Sequence, residues 1–273
     1  MCVSCIVFYV VELMGVTQLH DVVYILCEMS STILRFNATT HQRLTDIHVK
    51  VFSDPCDIVA CEKTFQLYVA DFHKGVWRVS ADGADIKLWL SKSSSDTFER
   101  SSKLSLTSTR LLVTSRDTKH LIQFDSAGNE LRRVQLPDHM KPFHAVESPT
   151  TTFIVSHGII RQMQRQINAQ LDQFQISEVN TDGQVLRQFT GSRLSSLGLT
   201  RHVAIDSHGN VLVADFDNHC IWLLDAQLTP SRLILDEQQL NDKQPRRLCY
   251  SEPTGQLLVA LRHRVVVYDV LRR

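Results

Sequence analysis

A short apolar strand pattern recurs along the whole chain. Leu67–Phe72 and Val211–Phe216 read LYVADF and VLVADF, and four weaker copies accompany them. The central residues of the six copies are Ile25, Val69, Val113, Val155, Val213 and Val259. Successive centres lie 44, 44, 42, 58 and 46 residues apart. Such spacing is typical of a repeat protein in which each unit packs on its neighbours.

Each copy is followed by further strand and turn signals. A second apolar strand comes about eight residues after the centre, as in Val76–Val79 and Ile221–Leu224, and Trp77 and Trp222 occupy matching positions. Several units then reach a turn that contains glycine, at residues 81–83, 127–129 and 181–183. Glycine supplies the positive φ of tight hairpin turns. Short strands separated by such turns predict β-structure through most of the chain.

Six units of this length predict an all-β protein, a six-bladed β-propeller with four strands in each blade. The last unit ends one strand short, and the apolar run Ser4–Val11 has the right length to supply that strand. An N-terminal strand that closes the last blade would remove the open sheet edges of the ring. The alternative is that Ser4–Val11 is a buried first strand with no closing role. The prediction is one propeller domain over residues 1–273.

The 58-residue step contains an insertion at about residues 158–174, between two strands of the fourth blade. Ile159, Met163, Ile167 and Leu171 recur every four residues, which is a helical stripe. A helix and a long β-hairpin over one face of the ring are both consistent with this segment. Packing on its own domain is preferred to a free partner-binding helix.

The residues around the fifth centre carry a family resemblance. Val211–Ile221 reads VLVADFDNHCI, and it follows Val203–Asp206 and the pair Gly209-Asn210. This pattern resembles an NHL repeat. The resemblance extends over the chain as six copies, sharp around Asp71 and Asp215 and degenerate elsewhere. It implies a six-bladed propeller similar in shape to YWTD, gluconolactonase-like and amidating-lyase propellers.

The composition of the chain argues against several classes of binding partner. The chain has 29 Lys and Arg against 29 Asp and Glu, so it carries no net charge that would attract nucleic acid or a membrane. Seven cysteines form no paired zinc motif beyond Cys2-x-x-Cys5, and reduced thiols predict a cytoplasmic protein. The run Cys5–Val11 is too short to span a bilayer, so no membrane partner is expected.

Metal-dependent chemistry is the enzymatic alternative. Amidating-lyase propellers hold zinc at the axis through histidines that follow a proline. Here His144 and His202 fall one or two places from the comparable position, and His20 is the remaining candidate. Gluconolactonase-like propellers hold calcium with inner-strand acids, of which this chain has Asp57, Glu147 and Asp206. Zinc needs at least three converging ligands, so the sequence predicts no metal, no cofactor and no catalytic residues.

The predicted binding surface is the top face, defined as the face where the inner strand of each blade begins. The loop between the second and third strands of a blade lies there, and the aspartates of the VADF motifs are expected to cap its amides. Basic and aromatic residues collect in these loops or at the starts of inner strands. The candidate site comprises Phe72, Lys74, Arg116, Lys119, Arg201, Phe216, His219, Arg262 and Arg264.

Two binding functions follow from the resemblance, because NHL domains bind either proteins or RNA through this face. Basic side chains with aromatic neighbours could hold an acidic peptide or stack single-stranded bases. The alternative is that Asp117, Asp215 and Asp217 neutralise these cations locally. Zero net charge favours a non-catalytic platform for a protein or peptide partner. RNA binding is the second hypothesis, and a metal-dependent lactonase-like or lyase-like enzyme is the third.

Overall fold

The computed structural model describes residues 2–7, 12–91, 103–107, 109–160, 171–189, 200–241 and 243–270. Within these residues all regular structure is β-strand, arranged as six antiparallel sheets of four strands each. The predicted all-β class and the six-bladed propeller are confirmed. The described residues contain no helical segment that could span a bilayer.

The strands follow the chain around the ring. The first blade contains β2 (Leu13–Leu19), β3 (Val22–Cys27), β4 (Thr32–Asn37) and β5 (Ile47–His48). The second contains β6 (Pro55–Cys61), β7 (Gln66–Asp71), β8 (Gly75–Ser80) and β9 (Ile86–Ser91). The third contains β10 (Lys103–Thr107), β11 (Arg110–Ser115), β12 (His120–Phe124) and β13 (Glu130–Gln135).

The remaining blades are built in the same way. The fourth contains β14 (Met140–Glu147), β15 (Phe153–Ile160), β16 (Leu171–Val179) and β17 (Val185–Phe189). The fifth contains β18 (Thr200–Ile205), β19 (Val211–Asp215), β20 (Cys220–Leu224) and β21 (Pro230–Leu235). The sixth contains β22 (Arg247–Ser251), β23 (Gln256–Ala260), β24 (Arg264–Asp269) and, from the start of the chain, β1 (Cys2–Val7).

The first strand of each blade is the innermost one. Neighbouring inner strands contact each other around the ring, and β22 lies beside β2, so the ring closes. Each inner strand begins at the top face and ends at the opposite, bottom face. The six repeated apolar segments lie in the second strands, and Trp77 and Trp222 pair with the central residues Val69 and Val213.

The N-terminal strand completes the sixth blade, as predicted. β1 pairs antiparallel with β24, from Cys2 opposite Tyr268 to Val7 opposite Arg264. The strand begins two residues earlier than the predicted Ser4, and residues 8–11 lie outside the described ranges. Blade six is therefore assembled from both ends of the described chain.

The hydrophobic core lies between the blades. Alternate side chains of a second strand point to its two neighbours: Ile25 packs against Val265 of the sixth blade, whereas Tyr24 and Leu26 pack towards Ile58 of the second. The described residues form one such cluster at each of the six blade interfaces. Each fully buried Val, Leu or Ile contributes about 1.5–3 kcal/mol, so stability is distributed around the ring.

Two local predictions can be compared directly with the structure. The glycine turns are present, with positive φ at Gly83, Gly128 and Gly183. The insertion begins as a hairpin, because Ile159 pairs with Gln173 and Ile160 with Leu171. Continued pairing of β15 with β16 excludes a helix at both ends of the predicted stripe. Residues 161–170 lie outside the described ranges.

Candidate functional site

Buried aspartates hold the top-face loops in place. Asp71 is 2% exposed and ends β7. One of its carboxylate oxygens accepts the amides of His73 and Lys74, and the other accepts those of Ser53 and Asp54. A carboxylate that receives several amide hydrogen bonds joins two loops without needing a metal. The VADF aspartate of the second blade thus has the predicted capping role.

The fifth blade repeats this arrangement. Asp215 is fully buried, and its carboxylate accepts the backbone amide and the side-chain amide of Asn218. Its charge is therefore directed into its own loop. The prediction that Asp215 caps amides is confirmed.

Phe72 and Lys74 lie on the top-face turn between β7 and β8. The Phe72 ring is half-buried and contacts the His73 ring, with centroids 4.5 Å apart. Lys74 is exposed. Both side chains therefore lie at the surface that the sequence predicted for partner binding.

Arg116 belongs to an aromatic cluster at the base of the long hairpin. Its guanidinium carbon lies 4.6 Å from the centroid of the Phe143 ring, and Phe143 contacts Phe174 at 5.9 Å between centroids. All three side chains are half-buried. Burial lowers the pKa of Arg116, and its Nε has no hydrogen-bond partner. The sequence pattern did not single out Phe143, because neither its position nor its neighbours mark it as exposed.

Two of the predicted cationic residues, Lys119 and Arg264, form hydrogen bonds with carbonyl oxygens of the top face. Lys119 Nζ donates to the Asp138 carbonyl oxygen at 2.6 Å and lies 3.7 Å from its carboxylate. Arg264 donates to the Leu240 carbonyl oxygen at 3.2 Å. These contacts connect neighbouring blades, so both residues have a structural role.

A shared acid joins two further arginines. Glu12 accepts a hydrogen bond from Arg246 through one oxygen and lies 3.6 Å from Arg262 through the other. Arg246 also covers Phe216, with its guanidinium carbon 5.6 Å from the ring centroid. Phe216 is consequently 7% exposed, so this ring offers a partner little surface. Arg262 remains 63% exposed.

His219 and Arg201 are the two remaining predicted site residues. His219 lies 3.6 Å from the Glu237 carboxylate. Arg201 lies in β18, and its side chain is outside the described part of the structure. Glu12, Asp138 and Glu237 therefore lie beside predicted top-face residues, in addition to Asp117, which the sequence analysis named and whose charge acts on Arg116.

A second cluster surrounds the propeller axis. In each blade, one residue of the inner strand pairs with the residue that directly follows the repeat centre on the second strand. These six inner-strand residues occupy equivalent positions in the blades. We call these residues the axial ring: Gly15, Asp57, Lys103, His144, His202 and Arg247. Each lies 10 to 12 residues before its repeat centre, a signal that the sequence contained.

The axial ring satisfies backbone groups of the inner strands. Because an inner strand pairs on one side only, some of its amides face the axis. Asp57 accepts the Leu104 amide at 2.9 Å. His144 and His202 accept the amides of Val203 and Leu248 through Nδ1, each at 3.4 Å. Every one of these bonds connects one blade to the next.

An ion pair crosses the first blade. Arg247 of blade six lies 3.4 Å from the Asp57 carboxylate of blade two, and both side chains are buried. Gly15 is the ring residue between them. A Cβ on Gly15 would lie 2.7 Å from the Ile58 side chain and 3.6 Å from Asp57 Oδ1. The absence of a side chain at this position leaves room for the pair.

The two axial histidines are stacked and neutral. Their centroids are 3.7 Å apart, and both are buried. Burial lowers the pKa of His144 to about 4, with Arg247 and Lys103 adding to the effect and Asp57 opposing it. Burial, then His144, Arg247 and Lys103, lower the pKa of His202 well below its usual value. Protonation of Nδ1 would also break the accepted amide bond.

The residues that could have formed a metal site are used in other ways. Glu147 accepts hydrogen bonds from Arg110 at 2.9 Å and Gln123 at 2.7 Å. Asp206 caps a bottom-face turn by accepting the His208 and Asn210 amides. His20 stacks on Phe65 at 4.7 Å. In the described ranges, no three His, Cys, Asp or Glu side chains are arranged to hold a metal ion.

Five cysteines with described side chains form no disulfide: Cys27, Cys56, Cys61, Cys220 and Cys249. Burial raises the pKa of Cys27, Cys56 and Cys249 to about 11 and that of Cys220 to about 12. The thiolate is the reactive form of cysteine, so these thiols are unreactive at neutral pH.

The comparisons agree with this architecture. The family model of the NHL repeat matches residues 202–222, which run from within β18 into β20. The fifth blade carries an NHL repeat. The four degenerate repeats are consistent with a single detected copy. A search of curated proteins by sequence finds no significant match.

Solved structures share the propeller at low sequence identity. Hydrazine synthase from Kuenenia stuttgartiensis is 12% identical, with a TM-score of 0.67 and 98% of each chain covered. A streptogramin B lyase is 10% identical, with a TM-score of 0.63, 97% of this chain and 96% of that chain covered. At such identities the likeness establishes the fold of this NHL-like propeller and leaves its function open.

Acid should destabilise the NHL-like propeller through its axial histidines. Because their folded pKa values lie below the ordinary value of 6.5, their contribution is complete above about pH 6.5 and is lost as pH falls towards 4. Between pH 7.5 and 5 we expect each to cost up to about 2 kcal/mol. Urea unfolding at several pH values should show this loss. The His144→Gln/His202→Gln variant should reduce this loss and leave the part that comes from His157, whose pKa burial also lowers to about 4.

Proposed function

We propose that this NHL-like propeller is a non-catalytic platform that binds a peptide segment of a protein partner on its top face. The observation that carries the proposal is the cluster of Arg116, Phe143 and Phe174 beside the raised hairpin of β15 and β16. Half-buried aromatic rings next to an arginine are typical of residues that dominate protein interfaces.

The hairpin provides a wall for such a segment. β15 and β16 have 8 and 9 residues, whereas β19 and β20 of the next blade have 5 each. The extra length lies at the top face, because second strands end there. Phe72 and Lys74 offer an aromatic and a cationic contact on the second blade. An extended peptide with aromatic and acidic side chains fits this combination.

The ion pairs between top-face cations and acidic residues favour a protein partner over an RNA partner. Lys119, Arg246 and Arg262 each lie within an ion-pair distance of Asp138 or Glu12. An RNA backbone would have to compete with these acids, whereas aromatic burial is unaffected by them. RNA binding through exposed Lys74 and Arg262 is the alternative that the experiment distinguishes.

The test uses two selections in parallel, a displayed random peptide library and a random RNA pool. We expect the parent to yield peptides that Phe72→Ala/Lys74→Glu and Phe143→Ala bind at least tenfold more weakly. The matched control is Phe65→Ala/Lys63→Glu, which makes the same changes on the bottom face of the same blade. This control should bind as the parent does.

Salt dependence separates the two partner classes. Peptide affinity should change little between low and moderate salt, whereas each phosphate contact would cost about 0.7 log unit of affinity per log unit of salt for single strands. Peptides that bind the top-face variants and the parent equally would contradict the proposal. Enrichment of RNA alone would favour the alternative, and stoichiometric zinc or calcium after dialysis would favour an enzyme.

A further inference from the structure

A cavity of about 480 Å³ lies on the propeller axis below the axial ring. Its lining begins at ring residues Asp57, His144, His202 and Arg247 and continues down the inner strands to Glu62 and Glu252. Inner strands run from the top face to the bottom face, so the cavity opens at the bottom and the ring closes its upper end. Small-molecule sites in proteins have similar volumes, from about 300 to 1,000 Å³.

Donors that make no hydrogen bond lie at the closed end. Arg247 is 9% exposed and donates through Nη1 to the Arg246 carbonyl oxygen, while its Nε lies 3.4 Å from Asp57 Oδ1 without making a hydrogen bond. His202 is 8% exposed. Its Nδ1 accepts an amide, so the neutral ring carries its proton on Nε2.

A hydroxyl adds to this set. Ser105 is 7% exposed and lines the cavity two residues below Lys103, and its Oγ has no hydrogen-bond partner. A buried polar group without a partner costs about 1–3 kcal/mol. The fold keeps two such groups, Arg247 Nε and Ser105 Oγ, around one cavity, which is expected where a ligand supplies the missing acceptor.

Part of the cavity wall is apolar. Val16, Ile58, Leu106, Val146 and Ile205 line the cavity beside polar residues that include Thr17, Thr107 and Glu147. A ligand that reaches the donors would therefore contact hydrocarbon over part of its surface. Guanidinium groups recognise carboxylates through paired, charge-assisted hydrogen bonds.

We propose that the axial cavity is a binding site for a small carboxylate with an apolar body. The carboxylate accepts hydrogen bonds from Arg247 and His202 at the closed end, and the body contacts the apolar walls. The ligand enters from the bottom face. This site is separate from the top-face platform, so either proposal can fail without the other.

Isothermal titration with benzoate and hexanoate tests the proposal, and benzamide is the neutral control of the same shape. We expect both carboxylates to bind the parent, and benzamide to bind at least tenfold more weakly. The Asp57→Asn/Arg247→Gln variant removes both charges of the ion pair together and leaves neither one buried alone. It should bind benzoate at least tenfold more weakly, and Arg232→Gln, on an exposed outer strand, should bind as the parent does.

A second variant reduces the volume of the cavity and leaves its charged residues unchanged. Ala204 lines the cavity, and Ala204→Leu should reduce binding of both carboxylates while the melting temperature confirms the fold. Failure of the folded parent to bind either carboxylate at millimolar concentration would overturn the proposal. Equal binding of benzamide, or unchanged binding by both cavity variants, would overturn it as well.

Discussion

Deleting residues 1–11 is expected to lower the free energy of unfolding by about 5 kcal/mol or more. The deletion removes β1, in which five residues pair with β24, and each hydrogen bond contributes about 1 kcal/mol. It also turns β24 into an edge strand, although Val265 and Val267 remain in the core between blades six and one. Urea denaturation of the parent and the truncated chain measures the difference.

A circular permutant is the matched control for this deletion. Cys2 lies opposite Tyr268, so the start of β1 is adjacent to the end of β24. A chain of residues 12–270, a short turn and residues 2–11 keeps every strand of blade six in one continuous segment. Its stability should return to within about 1 kcal/mol of the parent, because blade six keeps all its strand pairings. A truncated chain with an unchanged cooperative melt would contradict closure by β1.

Breaking the axial ion pair from one side is expected to cost about 3–5 kcal/mol. Asp57→Asn keeps an oxygen for the Leu104 amide but leaves the Arg247 charge buried without its partner. Arg247→Gln likewise leaves the Asp57 carboxylate buried without its charged partner. Removing one member of a buried pair is more damaging than removing both. Chemical unfolding of the two single variants provides the values.

The double variant Asp57→Asn/Arg247→Gln completes the cycle. We expect it to be more stable than either single variant, because no uncompensated charge remains on the axis. Single-variant losses that simply add would show that Arg247 and Asp57 do not interact. The same double variant serves in the carboxylate titration, and this measurement establishes independently that it is folded.

The two faces of the ring differ in the chemistry that they offer. The top face has half-buried aromatic rings and cations that mostly have acidic neighbours, whereas the bottom face opens into a cavity with orphaned donors. Solved propellers with this fold include a hydrazine synthase and a lyase, at 12% and 10% identity. Fold likeness at this level does not transfer a reaction, so each face has to be tested by its own ligand class.

Much of the architecture could be predicted from local sequence. The repeat spacing is sufficient for six blades, because every blade needs the same alternating strands and turns to cover its neighbours. The role of the N-terminal strand followed from the absence of a fourth strand in the last repeat unit. The capping role of Asp71 and Asp215 followed from their place at the end of a strand, where a short carboxylate reaches loop amides.

The top-face site was predicted only in part. Phe72, Lys74 and Arg262 lie at the surface, since exposure of a turn residue depends mainly on its own loop. Phe216 is covered by Arg246, a residue from a different blade. Lys119 likewise bonds to Asp138, 19 residues away in sequence. Which cation meets which acid depends on how neighbouring blades dock, and the repeat pattern carries no information on it.

The sequence by itself determined the number of blades, the strand order and the turns, because these depend on periodic hydrophobic burial and on glycine at defined positions. Only the tertiary structure decided what lies on the axis. Asp57, His144, His202 and Arg247 are up to 190 residues apart in the chain, and an equivalent register in separate blades brings them into one ring. Closing the ring creates the shared low-dielectric space in which their charges and hydrogen bonds become coupled.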